Sequence, residues 1–121
     1  MGEVLIVEDD DSTRTLLSAI VLRNGLQPVE AGDGRECLSL LGAFAFKAIL
    51  LDLLLPEVTG LEVLAHLHAS MPEMLSKVII ITAALEPAWI GASEVRRVRC
   101  VIPKPFDVEV LERELLASCE A

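Results

Sequence analysis

Three runs of this chain, Val4-Leu5-Ile6-Val7, Ala48-Ile49-Leu50-Leu51 and Val78-Ile79-Ile80-Ile81, are purely apolar, and each leads into a polar side chain. Continuous rather than alternating hydrophobicity suits strands covered on both faces, the condition of a parallel sheet enclosed by helices. Stretches with helical spacing separate these runs. Strand then helix, repeated five times within 121 residues, calls for parallel strands joined by right-handed crossovers. With 53% hydrophobic but only 3% aromatic residues, the core has to be built from Leu, Ile, Val and Ala, which favours α/β over a β-sandwich.

The first strand, with Glu3 at its start, ends on Glu8-Asp9-Asp10-Asp11. Asp11 or Ser12 can cap a first helix that carries Leu16, Leu17, Ile20 and Val21 and stops at Asn24-Gly25. Gln27 to Ala31 is a short second strand, Asp33-Gly34 a turn or cap, and Cys37, Leu38, Leu41 and Phe44 the stripe of a second helix. Lys47 to Asp52 is the third strand. A sharp turn through Pro56 and Gly60 leads to a third helix with Leu61, Val63, Leu64 and Leu67, ending before Met71-Pro72 because the residue before proline disfavours helix. Val78 to Thr82 is the fourth strand. A fourth helix over 86–95 is expected to be short, given Pro87 and Gly91. Arg99 to Pro103 is the fifth strand, and Asp107 caps a fifth helix that turns Val108, Leu111, Leu115 and Cys119 inward. The pattern describes one domain over residues 1–121, a five-stranded parallel sheet of flavodoxin-like order 2-1-3-4-5 with helices on both faces.

A net charge of −9 repels phosphate backbones and argues against nucleic-acid binding by this domain. No apolar run reaches the length of a membrane span, the first strand leaves no room for a signal sequence, and no Ser or Thr stands at position 6 for myristoylation, so a cytoplasmic location is expected. Cys37, Cys100 and Cys119 are odd in number and irregular in spacing; they read as reduced and structural rather than as a disulfide or zinc framework. His66 and His68 lie in the third helix, away from the acids, and read as surface residues.

An Asp that ends a strand is ordinarily a turn residue. Asp52 gains weight from its company. In the order 2-1-3-4-5 the first and third strands are neighbours about 4.8 Å apart, so Asp9 and Asp52 end side by side with Glu8 near. Two carboxylates at that distance repel by roughly 3 kcal/mol at an effective dielectric near 20. A divalent cation relieves this, and carboxylates with a backbone carbonyl and water suit Mg²⁺. Thr82 and Lys104 bring a hydroxyl and an ammonium to the same edge, where they can hold anionic oxygens. Such an edge suits phosphoryl transfer to a carboxylate, in which the charge on the transferred group is met by Mg²⁺, Lys104, the Thr82 hydroxyl and the Ala83 amide.

On these residues the chain resembles the receiver domains of bacterial two-component response regulators, over essentially its whole length. The matching positions are Glu8-Asp9, Asp52 with Pro56 and Gly60, Thr82-Ala83, and Lys104-Pro105-Phe106. The resemblance implies that Asp52 is the phosphoacceptor, and that Asp9, Asp52 and the Leu54 carbonyl bind Mg²⁺ with Glu8 acting through water. It implies that Lys104 and Thr82 contact the phosphoryl oxygens and that the Lys104–Pro105 bond is cis. The implied donor is a phosphohistidine on a sensor histidine kinase or a histidine phosphotransfer protein. An output domain, a partner protein or a second copy would read the result, through the face made by the fourth helix, fifth strand and fifth helix. A receiver catalyses its own phosphoryl transfer and hydrolysis and is not a turnover enzyme on an external substrate.

The chain departs from the family pattern at three places. Val101 stands where receivers usually carry an aromatic residue, so a relay of the switch is altered; a constitutive interaction or dimerisation module is the rival reading. Arg96-Arg97-Val98 replaces a stretch of small residues; Arg96, Arg97 and Arg99 stand in a chain otherwise rich in acid, with Glu109, Glu112 and Glu114 on the fifth helix, a solvated charge mixture or a partner surface, with Trp89, Phe44 and Phe46 as aromatic contacts or core. Leu54 is apolar where many relatives place a polar residue near the attacking water, which points to slow loss of the phosphoryl group. Leu54 also disfavours a haloacid-dehalogenase-like phosphatase, which wants a second acid at that position.

Overall fold

Apolar strands without alternation need cover on both sides, and the computed structural model, which describes residues 2–84 and 93–120, supplies it. Strands β1 (Glu3–Val7), β2 (Gln27–Ala31), β3 (Ala48–Leu51), β4 (Val78–Thr82) and β5 (Cys100–Pro103) form one sheet in the order β2-β1-β3-β4-β5, with every pairing parallel. Helices α1 (Asp11–Arg23), α2 (Gly34–Leu41), α3 (Gly60–Ser70) and α4 (Val108–Glu120) surround it, with 3₁₀ segments at Pro72–Lys77 and Val95–Arg97. Sheet order and layering are those expected. Most of the helix expected over 86–95 lies outside the described residues, Trp89 with it, so α4 is the helix foreseen as the fifth.

Alternate side chains of each strand enter different layers. Leu5, Val7, Ile49, Leu51 and Ile80 pack with Cys37 and Leu41 of α2 and Val63, Leu64 and Leu67 of α3. Val4, Ile6, Leu50, Ile79 and Ile81 pack with Leu17, Ile20 and Val21 of α1 and Leu111 and Leu115 of α4. Each fully buried Leu or Ile contributes about 1.5–3 kcal/mol, so the two layers hold the sheet without help from the polar edge.

Several local expectations shift. Asp10, not Asp11 or Ser12, caps α1, its carboxylate accepting from the Thr13 amide at 2.8 Å and the Thr13 hydroxyl at 2.7 Å. Leu16 is 49% exposed, because the buried face of α1 runs through Leu17, Ile20 and Val21. Phe44 lies beyond the end of α2 and is exposed, whereas Phe46 is core; their rings stand 5.7 Å apart. The caps at Asp33 and Asp107 are as read: Asp33 accepts from the Glu36 amide, and Asp107 from the amides of Glu109 and Val110.

The β3–α3 turn divides its labour differently from the sequence reading. The left-handed residue is Glu57, at φ +61°. Gly60 is needed for close approach: a Cβ there would lie 2.5 Å from both the Asp52 carbonyl oxygen and the Leu53 Cα. Its amide also donates to the Leu53 carbonyl at 3.1 Å, which draws the start of α3 against the end of β3. Gly60→Ala must displace the backbone that carries Asp52, at a cost of about 1–3 kcal/mol for overpacking. A urea titration checks this; an unchanged midpoint would mean that the turn yields freely.

Candidate functional site

The site stands where the strands run out. Val7 pairs with Leu51, and the Asp52 amide donates to the Val7 carbonyl at 3.1 Å, so β3 hands over to Asp52 level with the end of β1. The Glu8 amide still donates to the Ala31 carbonyl of β2 at 3.1 Å, which keeps Glu8 in the sheet ladder for one residue more. The Lys104 amide likewise donates to the Thr82 carbonyl at 3.1 Å, tying β5 to β4. Main-chain register alone thus brings Glu8, Asp52, Thr82 and Lys104 to one rim, beside the β1/β3 point at which the strand order reverses.

The side chains converge on the ammonium of Lys104. Its Nζ donates to Asp52 Oδ2 at 2.7 Å and to Glu8 Oε1 at 2.6 Å. Asp52 Oδ1 accepts from the Leu54 amide at 2.9 Å, and Glu8 Oε2 from the Asp10 amide at 3.1 Å. Glu8, Asp9 and Asp52 each offer an oxygen within 4.8 Å of the others. Glu8 and Asp52 are buried, with relative exposures of 2% and 5%, whereas Asp9 is exposed. Glu8 and Asp52 thus share the Lys104 ammonium from buried positions, and Asp9 offers its oxygen to the same cluster from the surface.

Thr82 is fully buried, and its hydroxyl accepts from the Ala84 amide at 3.1 Å. It stands on the same edge with no hydrogen bond to the acids among the described residues. Ala83 is exposed, and the Leu54 side chain is 49% exposed beside a cleft of about 410 Å³ whose lining includes Asp9, Leu55, Pro56 and Thr59. The Lys104–Pro105 bond is cis. Val101 is half-buried beside Ile80. His66 and His68 are exposed on α3, and the three cysteines are free thiols. Arg99 lies 3.7 Å from Glu114, and Arg97 Nη1 is 3.3 Å from His68 Nδ1. Two contacts escaped the sequence reading: the bond from Lys104 to Glu8, and the hold of Arg14 on the β1–α1 loop. Arg14 is the first Lys or Arg in the chain, amid acids, and that contrast was the available signal.

Three carboxylates against one ammonium leave two negative charges in a small volume. The donor set is all oxygen and hard, and the residues present fit a divalent cation of the Mg²⁺ kind. Burial pushes the Glu8 carboxyl above its ordinary range, against the pull of Lys104 and the Asp10 amide. Burial also opposes the charge on Lys104, but its hydrogen bonds to Asp52 and Glu8 outweigh that and hold its pKa above the usual lysine value.

These shifts have opposite consequences for charge but the same sign for stability. Glu8 binds its proton more tightly in the folded chain, so the stability it contributes is complete below its ordinary value of 4.5 and is lost as pH rises through the raised one. Lys104 contributes stability that is complete below its ordinary 10.5 and is lost as pH rises through its raised value. In Lys104→Met, Glu8 keeps its burial and loses its counter-charge. The variant is expected to melt higher at pH 5 than at pH 7.5, and MgCl₂ is expected to restore much of the difference, as read by circular dichroism.

The model of the response regulator receiver domain family matches residues 4–116. The response regulator MprA of Mycolicibacterium vanbaalenii is 31% identical over 118 residues, covering 98% of this chain and 48% of that protein. The Regulator of RpoS of Escherichia coli is 31% identical over 117 residues, 97% of this chain and 34% of that protein. The chain thus spans half or less of the length of these curated relatives. Among solved structures, a CheY-like receiver domain from Methanospirillum hungatei superposes with a TM-score of 0.90 at 24% identity, covering 99% of this chain and 94% of that one. The response regulator TrrA of Thermotoga maritima, solved in complex with Mg²⁺ and BeF, gives 0.85 at 22% identity over 98% of this chain and 99% of that one. With its sheet order, its acids and its lysine on one rim, and a family match over nearly its full length, the chain belongs to the response regulator receiver domain family.

Proposed function

We propose that this domain is a phosphorylation switch in which Asp52 accepts a phosphoryl group from a phosphohistidine of a sensor histidine kinase or histidine phosphotransfer protein. The observation that carries the reading is the 2.7 Å contact of Lys104 Nζ with Asp52 Oδ2, beside two further carboxylates. Asp9, Asp52 and the Leu54 carbonyl would hold Mg²⁺, with Glu8 acting through water. Bound there, the ion supplies charge neutralisation between the carboxylates and the incoming phosphoryl oxygens.

An Asp52 oxygen forms the new bond to phosphorus as the bond from phosphorus to the donor imidazole nitrogen breaks, and the imidazole leaves with the bonding pair. Lys104 already meets Asp52, and it can shift its bond to a phosphoryl oxygen without leaving the rim. The Ala83 amide and the Thr82 hydroxyl are the remaining donors, Thr82 giving up its bond with the Ala84 amide for a charge-assisted one. The changed state is read on the face of β5 and α4 by an output domain, another protein or a second copy. Val101, smaller than the aromatic usual there, leaves that relay with less side chain to move. The domain catalyses its own phosphorylation and hydrolysis and turns over no external substrate.

After incubation with acetyl phosphate and MgCl₂, mass spectrometry is expected to find one added phosphoryl group, absent from Asp52→Asn. Equal modification of that variant would remove Asp52 from the role. Leu54→Asn, which sets a polar group beside the acyl phosphate, is expected to shorten its lifetime several-fold by orienting water, measured by the decay of the phosphorylated species. Gel-filtration and partner binding indifferent to beryllofluoride would favour the constitutive module over the switch.

A further inference from the structure

Two of the three acids ride on the β1–α1 loop, and a side chain of α1 outside the cluster holds the main chain between them. Arg14 Nη1 donates to the Glu8 backbone carbonyl at 2.8 Å. Its Nη2 pairs with Asp11 in the first turn of α1, and its Nε lies 3.8 Å from Glu30 Oε1 on β2. Glu30 in turn accepts from the Ser18 hydroxyl of α1. The Arg14 side chain is 20% exposed, so it works from a partly enclosed position between helix, loop and strand.

The location of its strongest contact gives Arg14 its consequence. The Val7 carbonyl bonds Asp52 and the Glu8 amide bonds Ala31, but past Glu8 the chain leaves the sheet and the Glu8 carbonyl has no strand partner among the described residues. Arg14 takes the place of the missing strand. The Glu8 carbonyl and the Asp9 amide belong to one planar peptide unit. Pinning that oxygen therefore sets the direction in which Asp9 departs. From the other side, Lys104 and the Asp10 amide pin the Glu8 carboxylate. Without the guanidinium the peptide between the two acids would be held only through its flanking residues, and the separation of the Asp9 and Asp52 oxygens would be less tightly set.

We propose that Arg14 is a positioning residue of the cation site, holding the Glu8–Asp9 peptide so that Asp9 faces Asp52. This rests on reading the acids as a Mg²⁺ site. The sign of the effect separates positioning from simple charge. A guanidinium beside the acids repels a divalent cation, so on charge alone its removal would tighten Mg²⁺ binding; as a positioner its removal weakens binding.

The test is calorimetric titration of MgCl₂ into the full chain, below the melting temperature of each variant read by circular dichroism. Arg14→Ala is expected to weaken Mg²⁺ binding about tenfold, the scale found when groups that orient metal ligands are removed. Arg14→Gln keeps an amide donor but no charge, and it is expected to recover part of the loss. Should the alanine variant not fold, Arg14→Gln and Glu30→Gln carry the test, each expected to weaken binding by a smaller measurable factor. Binding unchanged or tighter in the alanine or glutamine variants, or equally weak in both, would overturn the role. Absence of Mg²⁺ binding by the unaltered chain would remove the site itself and this role with it, and acetyl phosphate labelling of Asp52 reports separately on the phosphoacceptor.

Discussion

The ammonium of Lys104 between Glu8 and Asp52 is the contact on which the arrangement of the polar edge depends. It joins the ends of β1, β3 and β5, strands that are not all neighbours, through one group at 2.6 and 2.7 Å. Such a bridge exists only if the three strands stop at the same height, and that height is set by the registers Val7 with Leu51 and Thr82 with Pro103. The apolar sheet measures the distance, and the charges report it. Neither carboxylate could be buried with the other unpaired, because repulsion of about 3 kcal/mol would add to desolvation.

The division between apolar body and charged rim explains how the chain carries an unfavourable cluster without losing its fold. Both core layers close on Leu, Ile and Val below the rim, and among the described residues the hydroxyl of the fully buried Thr82 bonds only with its own loop. The cost of gathering acids falls on loops at the reversal of strand order, where ligands bind in open α/β sheets. Gly60 shows how tightly this is built, since even a methyl group there would press on the backbone of Asp52.

The three central strands were legible because each holds a continuous apolar run, and from the strand order followed the topology and the meeting of Asp52 with Lys104. What sequence could not resolve was any choice between adjacent residues of one kind. Asp10 and Asp11 can both cap a helix, and only the turn after Glu8 decides for Asp10. Leu16 and Leu17 are equally apolar, and the phase of α1 buries one and exposes the other. The burial of Glu8 beside an exposed Asp9 has the same origin: one further ladder bond, from Glu8 to Ala31, keeps Glu8 in the sheet while Asp9 leaves it. The contact of Arg14 was hidden for another reason, although the residue stands out as the first base amid acids. Its acceptor is a main-chain carbonyl, and no residue pattern announces an unpaired carbonyl.

The unequal burial of the acids assigns them different work. Both oxygens of Glu8 are engaged by the protein, one by Lys104 and one by the Asp10 amide, so its carboxylate serves as a fixed counter-charge. Asp52 spends one bond on Lys104 and one on the Leu54 amide, and a carboxylate with about four acceptor sites retains capacity beyond those. Asp9 is exposed and its side chain makes no hydrogen bond among the described residues, so it is the acid with the most to offer an incoming cation. A rim built this way has a rigid pair and one open arm. The rigid pair sets where charge accumulates, and the open arm, aimed by its own peptide plane, decides whether that charge is shared with a ligand.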